Sequence, residues 1–152
     1  MVKYNINAIK NKEAAYRSLL SQELVSRLKS RIVYMICKKK KYRDSSYSAK
    51  QLAEDLGTNT RYISAVVNVS FGMNYTSFVN KYRIEYAKSI LKEKRNSKLK
   101  MEEVSDMVGF ANRQSFYAAF YKFTGISPRK YKIEALEEQN KKRTETKHTD
   151  EA

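Results

Sequence analysis

Proline occurs once and glycine four times in 152 residues. That scarcity excludes collagen-like and low-complexity repeats and a turn-rich β-sandwich. The single cysteine, Cys37, permits no internal disulfide and fits a reducing compartment. The one histidine, His148, has no partner at ligand spacing, and no Ser/His/Asp set, metal cluster or phosphate-cradling glycine loop is present. No catalytic residue, cofactor or metal is therefore expected, and the chain reads as a non-enzyme. The longest uninterrupted apolar run, Ile32 to Cys37, is far shorter than the roughly 18–20 residues of a membrane span. The opening Met-Val-Lys-Tyr-Asn-Ile-Asn has no secretory core. These absences predict a soluble, cytoplasmic protein with no membrane partner.

What is abundant is positive charge. Lysine and arginine number 31 against 16 acids, for a formal charge of +15 and a pI of about 9.8. Residues 1–47 hold 12 bases and 3 acids, residues 48–131 hold 14 and 7, and residues 132–152 hold 5 and 6. A basic body with a near-neutral tail points to a polyanionic partner. Charge alone does not choose between nucleic acid and an anionic surface. Hydrophobic residues make up 41%, enough to bury a core.

Apolar periodicity predicts helices almost throughout. From about Glu13 to Cys37 the stripe is Tyr16, Leu19, Leu20, Leu24, Leu28, Ile32, Met35 and Ile36. Ser48 with Gln51 reads as a capping box, opening a short helix that Gly57 stops. A second helix follows with Tyr62, Ile63, Val66 and Val67 inward, closed by Gly72. Phe78, Val79, Tyr82, Ile84, Ala87, Ile90 and Leu91 face inward on a helix of about 76–94. Met101, Val104, Met107 and Val108 mark another short helix ended by Gly109. The next buries Phe116, Ala119, Phe120 and Phe123 and ends at Gly125, and Ser127-Pro128 opens the last. Beyond about Leu136 the period fades, and 137–152 reads as a disordered tail. No segment alternates as a strand does. The fold class is all-α.

An internal repeat carries the functional reading. Aligning Gly57 with Gly109 and allowing one extra residue after the second glycine places Ile63 on Phe116, Val67 on Phe120 and Gly72 on Gly125. Each unit is a short helix, a glycine-containing turn and a second helix, the helix-turn-helix arrangement. A bar of roughly 19 residues between them would be about 28 Å long. That is near the ~34 Å of one duplex turn, so one chain suffices for two groove segments. Oligomeric state is left open.

Arg83-Ile84-Glu85-Tyr86-Ala87-Lys88-Ser89-Ile90-Leu91 resembles the linker-helix pattern of the AraC/XylS family of transcription regulators. Val104 to Phe110, then Ser115-Phe116, Phe120, Gly125-Ile126-Ser127-Pro128 and Tyr131, resembles its C-terminal hallmark. Gly72-Met73-Asn74 and Val79 to Arg83 are similar to forms in regulators of the Bacteroidetes group. The resemblance covers about Ser48 to Lys132. It implies a bacterial transcription factor, usually an activator, with double-stranded DNA as partner and RNA polymerase as a candidate second one. Together with the apolar periods on either side, it gives the expected organisation: an N-terminal amphipathic helix and basic linker (1–47), an AraC-type DNA-binding domain (48–136) and a disordered tail (137–152). Within the domain the parts are a first helix-turn-helix (48–72), a linker helix (76–94), a second helix-turn-helix (101–125) and a final helix (128–136).

Subtracting the buried faces leaves Thr60, Arg61, Ser64, Ala65 and Asn68 outward on the first recognition helix. On the second it leaves Arg113, Gln114, Tyr117, Ala118 and Tyr121. Arginine can fork onto guanine and glutamine can pair with adenine. Ala65 and Ala118 stand where many members of the family carry long polar side chains, so readout there would rest on thymine methyls or shape. Lys81, Arg83, Lys122, Arg129 and Lys130 are expected at phosphates, with backbone amides at the helix starts near Ser48 and Met101. Two alternatives stand beside this reading: an architectural or nonspecific nucleic-acid binder, and the isolated DNA-binding output of a larger sensor. The family's β-barrel sensor does not fit in 47 residues. The N-terminal helix is expected to pack on the reader or to contact a partner.

Overall fold

A computed structural model describes residues 21–150; the first part of the expected N-terminal stripe, through Leu20, lies outside them. Seven α-helices follow in order: α1 Gln22–Val33, α2 Ala49–Leu56, α3 Thr60–Phe71, α4 Tyr75–Lys92, α5 Met101–Val108, α6 Arg113–Thr124 and α7 Pro128–Asp150. A π turn, Tyr34–Lys38, extends α1, and 3-10 turns occur at Lys41–Arg43 and Lys94–Asn96. Among the described residues there is no strand, so the all-α class holds. The chain forms two compact units, one of residues 21–39 and 48–78, the other of 40–47 and 79–150.

In the first unit α1 and α2 both pack on α3. The core of this unit includes Leu28 and Ile32 from α1, Ile36 from the π turn, Leu52, Ala53 and Leu56 from α2, and Ile63, Ala65, Val66 and Val67 from α3. Phe71 stacks on Phe78 with centroids 4.5 Å apart. Ser48 caps α2 by accepting from Gln51 N at 3.2 Å. The expected capping box is only half formed, because the Gln51 amide donates to Asp55 Oδ1 at 3.0 Å instead of reaching back.

The second unit is built on Ile84, Ala87, Ile90 and Leu91 of α4, Met101, Val104 and Val108 of α5, and Phe116, Ala119 and Phe120 of α6, with Phe110 between the last two helices. Phe116 lies at the centre of its ring cluster, 5.5 Å from Phe110, 5.8 Å from Phe120 and 5.9 Å from Tyr117. Phe123, expected inward, is 37% exposed: it sits in the last turn of α6, just ahead of the Gly125 cap.

As far as it is described, the expected disordered tail is helical, since α7 continues to Asp150. Residues 137–147 are all exposed, and a stretch that buries nothing needs no apolar stripe, so the fading period carried no stop signal. Its support is polar: Lys142 pairs with Glu138 at 2.9 Å, four residues apart, and Gln139 donates to the Lys92 carbonyl at 2.8 Å.

The segment Lys40–Tyr47 belongs to the second unit. Lys40 takes the left-handed conformation, φ 56. Asp44 Oδ1 accepts from Ser46 Oγ at 2.6 Å and from Ser46 N at 2.9 Å. Those bonds, the hydroxyl first, hold its carboxyl below the usual carboxylate range.

Candidate nucleic-acid interface

Each short helix and the one after it are joined by the same local chemistry. At the end of α2, Gly57 takes φ 67, and Thr58 N donates back to Ala53 O at 2.9 Å. At the end of α5, Gly109 takes φ 101, and Phe110 N donates to Ser105 O at 3.0 Å. These are left-handed C-caps, a conformation glycine adopts without a Cβ penalty. Asparagine then starts each following helix. Asn59 Oδ1 accepts from Tyr62 N at 3.0 Å, and Asn112 Oδ1 from Ser115 N at 2.8 Å. Three residues separate α2 from α3 and four separate α5 from α6, so the extra residue inferred from the repeat is real. Buried Ser105 holds the end of this longer turn, its hydroxyl donating to the Asn112 carbonyl at 3.3 Å.

On α3, Thr60, Arg61, Ser64 and Asn68 are exposed on one side. Ala65 is not: it is 6% exposed, which corrects its expected place on the outward face. Two helices pack on α3, so its buried arc is wider than one apolar stripe, and a methyl group is too short to extend past its neighbours. On α6, Arg113, Gln114, Ala118 and Tyr121 are exposed, with Tyr121 at 64%. Tyr117 is half-buried, edge-on to Phe116. The Arg113 guanidinium lies 5.0 Å from the Tyr117 ring centre, a cation–π placement that restrains the arginine in the first turn.

Among the residues expected at phosphates, Ser48, Lys81, Lys122, Arg129 and Lys130 are exposed. Met101 is buried, so only its backbone is available there. Arg83 is committed inside the protein, which corrects its expected role. Its Nε donates to the Tyr42 carbonyl at 2.6 Å, Nη2 to the Asp44 carbonyl at 3.2 Å and Nη1 to Asn80 Oδ1 at 3.0 Å.

The sequence reading missed two cations. Lys100 and Lys132, with the carboxylate of Glu102, join Arg113 and Arg129 around a cleft of about 460 Å³ lined also by Leu99, Met101, Ile133 and Leu136. Lys132 also donates to the Ser97 carbonyl at 2.5 Å. Their signal in the sequence was only position, one residue before α5 and one turn into α7. No group of metal-ligating side chains occurs among the described residues, and no described helix is long and apolar enough to cross a membrane.

Two glycine-capped turns, each feeding a helix with an exposed polar face, define a helix-turn-helix protein. A helix-turn-helix domain profile matches residues 52–133, more than half of the chain, and the chain belongs to the AraC-type helix-turn-helix family. Its fold and family are those of DNA-binding regulators and not of enzymes. The uncharacterized HTH-type transcriptional regulator YtdP of Bacillus subtilis is 27% identical over 89 residues, 59% of this chain but 11% of that protein. The chain thus spans about a tenth of that relative. The C-terminal domain of the two-component response regulator yesN from Fusobacterium nucleatum is 26% identical with a TM-score of 0.56, covering 73% of this chain and 96% of that one. A transcriptional regulator with an AraC-type DNA-binding domain from Chromobacterium violaceum shares the fold at 16% identity and a TM-score of 0.51, over 58% of this chain and 76% of that one.

Proposed function

We propose that the chain is a sequence-specific DNA-binding transcription regulator of the activating kind, which lays α3 and α6 into successive major-groove segments of one duplex with α4 as the linker. The observation that carries this reading is the duplicated Gly-turn-Asn geometry, each copy presenting an exposed polar helix face with an arginine in its first turn. Thr60, Arg61, Ser64 and Asn68 face one block of bases; Arg113, Gln114, Tyr117, Ala118 and Tyr121 face the other. Lys81, Lys122, Arg129 and Lys130, with the backbone at the starts of α2 and α5 near Ser48 and Met101, take phosphates. RNA polymerase is the partner such an activator requires.

Alanine at Arg61 or at Arg113 tests the assignment. Each is expected to lose about 1–3 kcal/mol of discrimination at base positions of its own block only. The check is quantitative binding to a panel of single-base variants of the preferred site. Uniform weakening at every position would support a nonspecific binder instead.

A second reading, that this chain is the output end of a longer sensor, is favoured by the 11% coverage of its Bacillus relative. The similarity to the C-terminal domain of a response regulator also favours it.

A further inference from the structure

Residues 40–47 lie outside the profile match at 52–133, and their chain neighbours on both sides belong to the first unit, yet they belong to the second. Within that unit they form a strap across α4 and the α5–α6 turn. Tyr42 is 9% exposed, packed against Tyr82 and Tyr86 with ring centres 6.2 Å away in each case. The Arg43 guanidinium sits 4.2 Å above the Tyr86 ring.

Arg83 is the anchor. Two of its nitrogens bond carbonyls of the strap, at Tyr42 and Asp44, and its guanidinium lies 5.5 Å from the Phe110 ring. The other contact is Gly109. A Cβ there would meet the Arg43 backbone, its carbonyl carbon at 2.7 Å and its Cα at 2.8 Å, as well as the Tyr42 carbonyl oxygen. Those atoms are main chain, so no rotamer change relieves the clash. Gly109 is therefore required twice, by φ 101 and by the strap lying on it.

Gly109 and Phe110 open the turn that delivers α6, and Phe110 packs on Phe116 of that helix. We infer that the Lys40–Tyr47 strap, anchored by Arg83 and seated on Gly109, positions α6 for its block of DNA, making Arg83 a positioning residue that touches no DNA. A reading helix placed loosely loses discrimination before it loses its fold. The inference rests on the two-block reading proposed above.

The test compares the full chain with Arg83→Gln and the milder Arg83→Lys, which keeps the charge but cannot fork to two carbonyls. Binding is measured to the preferred duplex and to duplexes scrambled in one block or the other. Discrimination at the α6 block is expected to fall about tenfold while that at the α3 block stays within about twofold. Amide exchange at Gly109 and Phe110, measured without DNA, is expected to quicken while α2 and α3 are unchanged. Equal weakening of both blocks would overturn the inference. So would a uniform loss with the salt slope reduced by about one, the mark of a phosphate contact, or unchanged exchange in both variants. Failure of the unaltered chain to prefer two blocks would instead count against the proposed function, and the exchange measurement would still decide the strap.

Discussion

Raising salt from 50 to 200 mM is expected to weaken binding of the chain to its preferred duplex by about 10³-fold. The chain carries a formal charge of +15, and each phosphate neutralised releases condensed counterions. About six such contacts give a slope near −5 in log affinity against log salt. In the proposed interface Lys81, Lys122, Arg129 and Lys130 would supply four of them, and the cleft would add Lys100 and Lys132. Removing Arg83 from the set, because each of its three nitrogens already donates within the protein, keeps the expectation at the low end of the 10³–10⁵ range for 6–10 contacts. A fluorescence titration at four salt concentrations measures it. A change under about tenfold would mean that these cations do not meet phosphate.

Phe116→Ala is expected to destabilise the protein by about 3–5 kcal/mol. Phe116 is fully buried and meets three other rings, so truncation removes the transfer term and leaves a cavity walled by rigid groups. Against total stabilities of about 5–15 kcal/mol, that change is large enough to depopulate the folded second unit. Phe123→Ala is the internal control. With 37% of its surface exposed, it is expected to cost well under half as much. Urea denaturation of the two variants checks both values, and equal losses would contradict the core described here.

Much of this was legible in the sequence because it is local. Glycine stops, asparagine starts and a 3.6-residue apolar period lie within a few residues of the groups they control. The duplicated turn was therefore readable, including its one-residue difference. What escaped depends on distance along the chain. Arg83 reads as a surface cation until its partners at Tyr42 and Asp44, 41 and 39 residues away, are brought to it. The strap has too short a period to announce that it packs at all. Ala65 reads as outward from the period of α3, since the sequence does not state that two helices cover that one. The end of α7 was missed for the opposite reason: a helix held by pairs such as Glu138–Lys142 has no apolar stripe to detect.

Selection of tight binders from random duplex DNA at about 150 mM salt tests the central claim most directly. The account expects two short enriched blocks with centres about 10–10.5 base pairs apart, one altered by substitutions on α3 and the other by substitutions on α6. Binding with no enriched sequence, or a single block indifferent to Arg113→Ala, would contradict it.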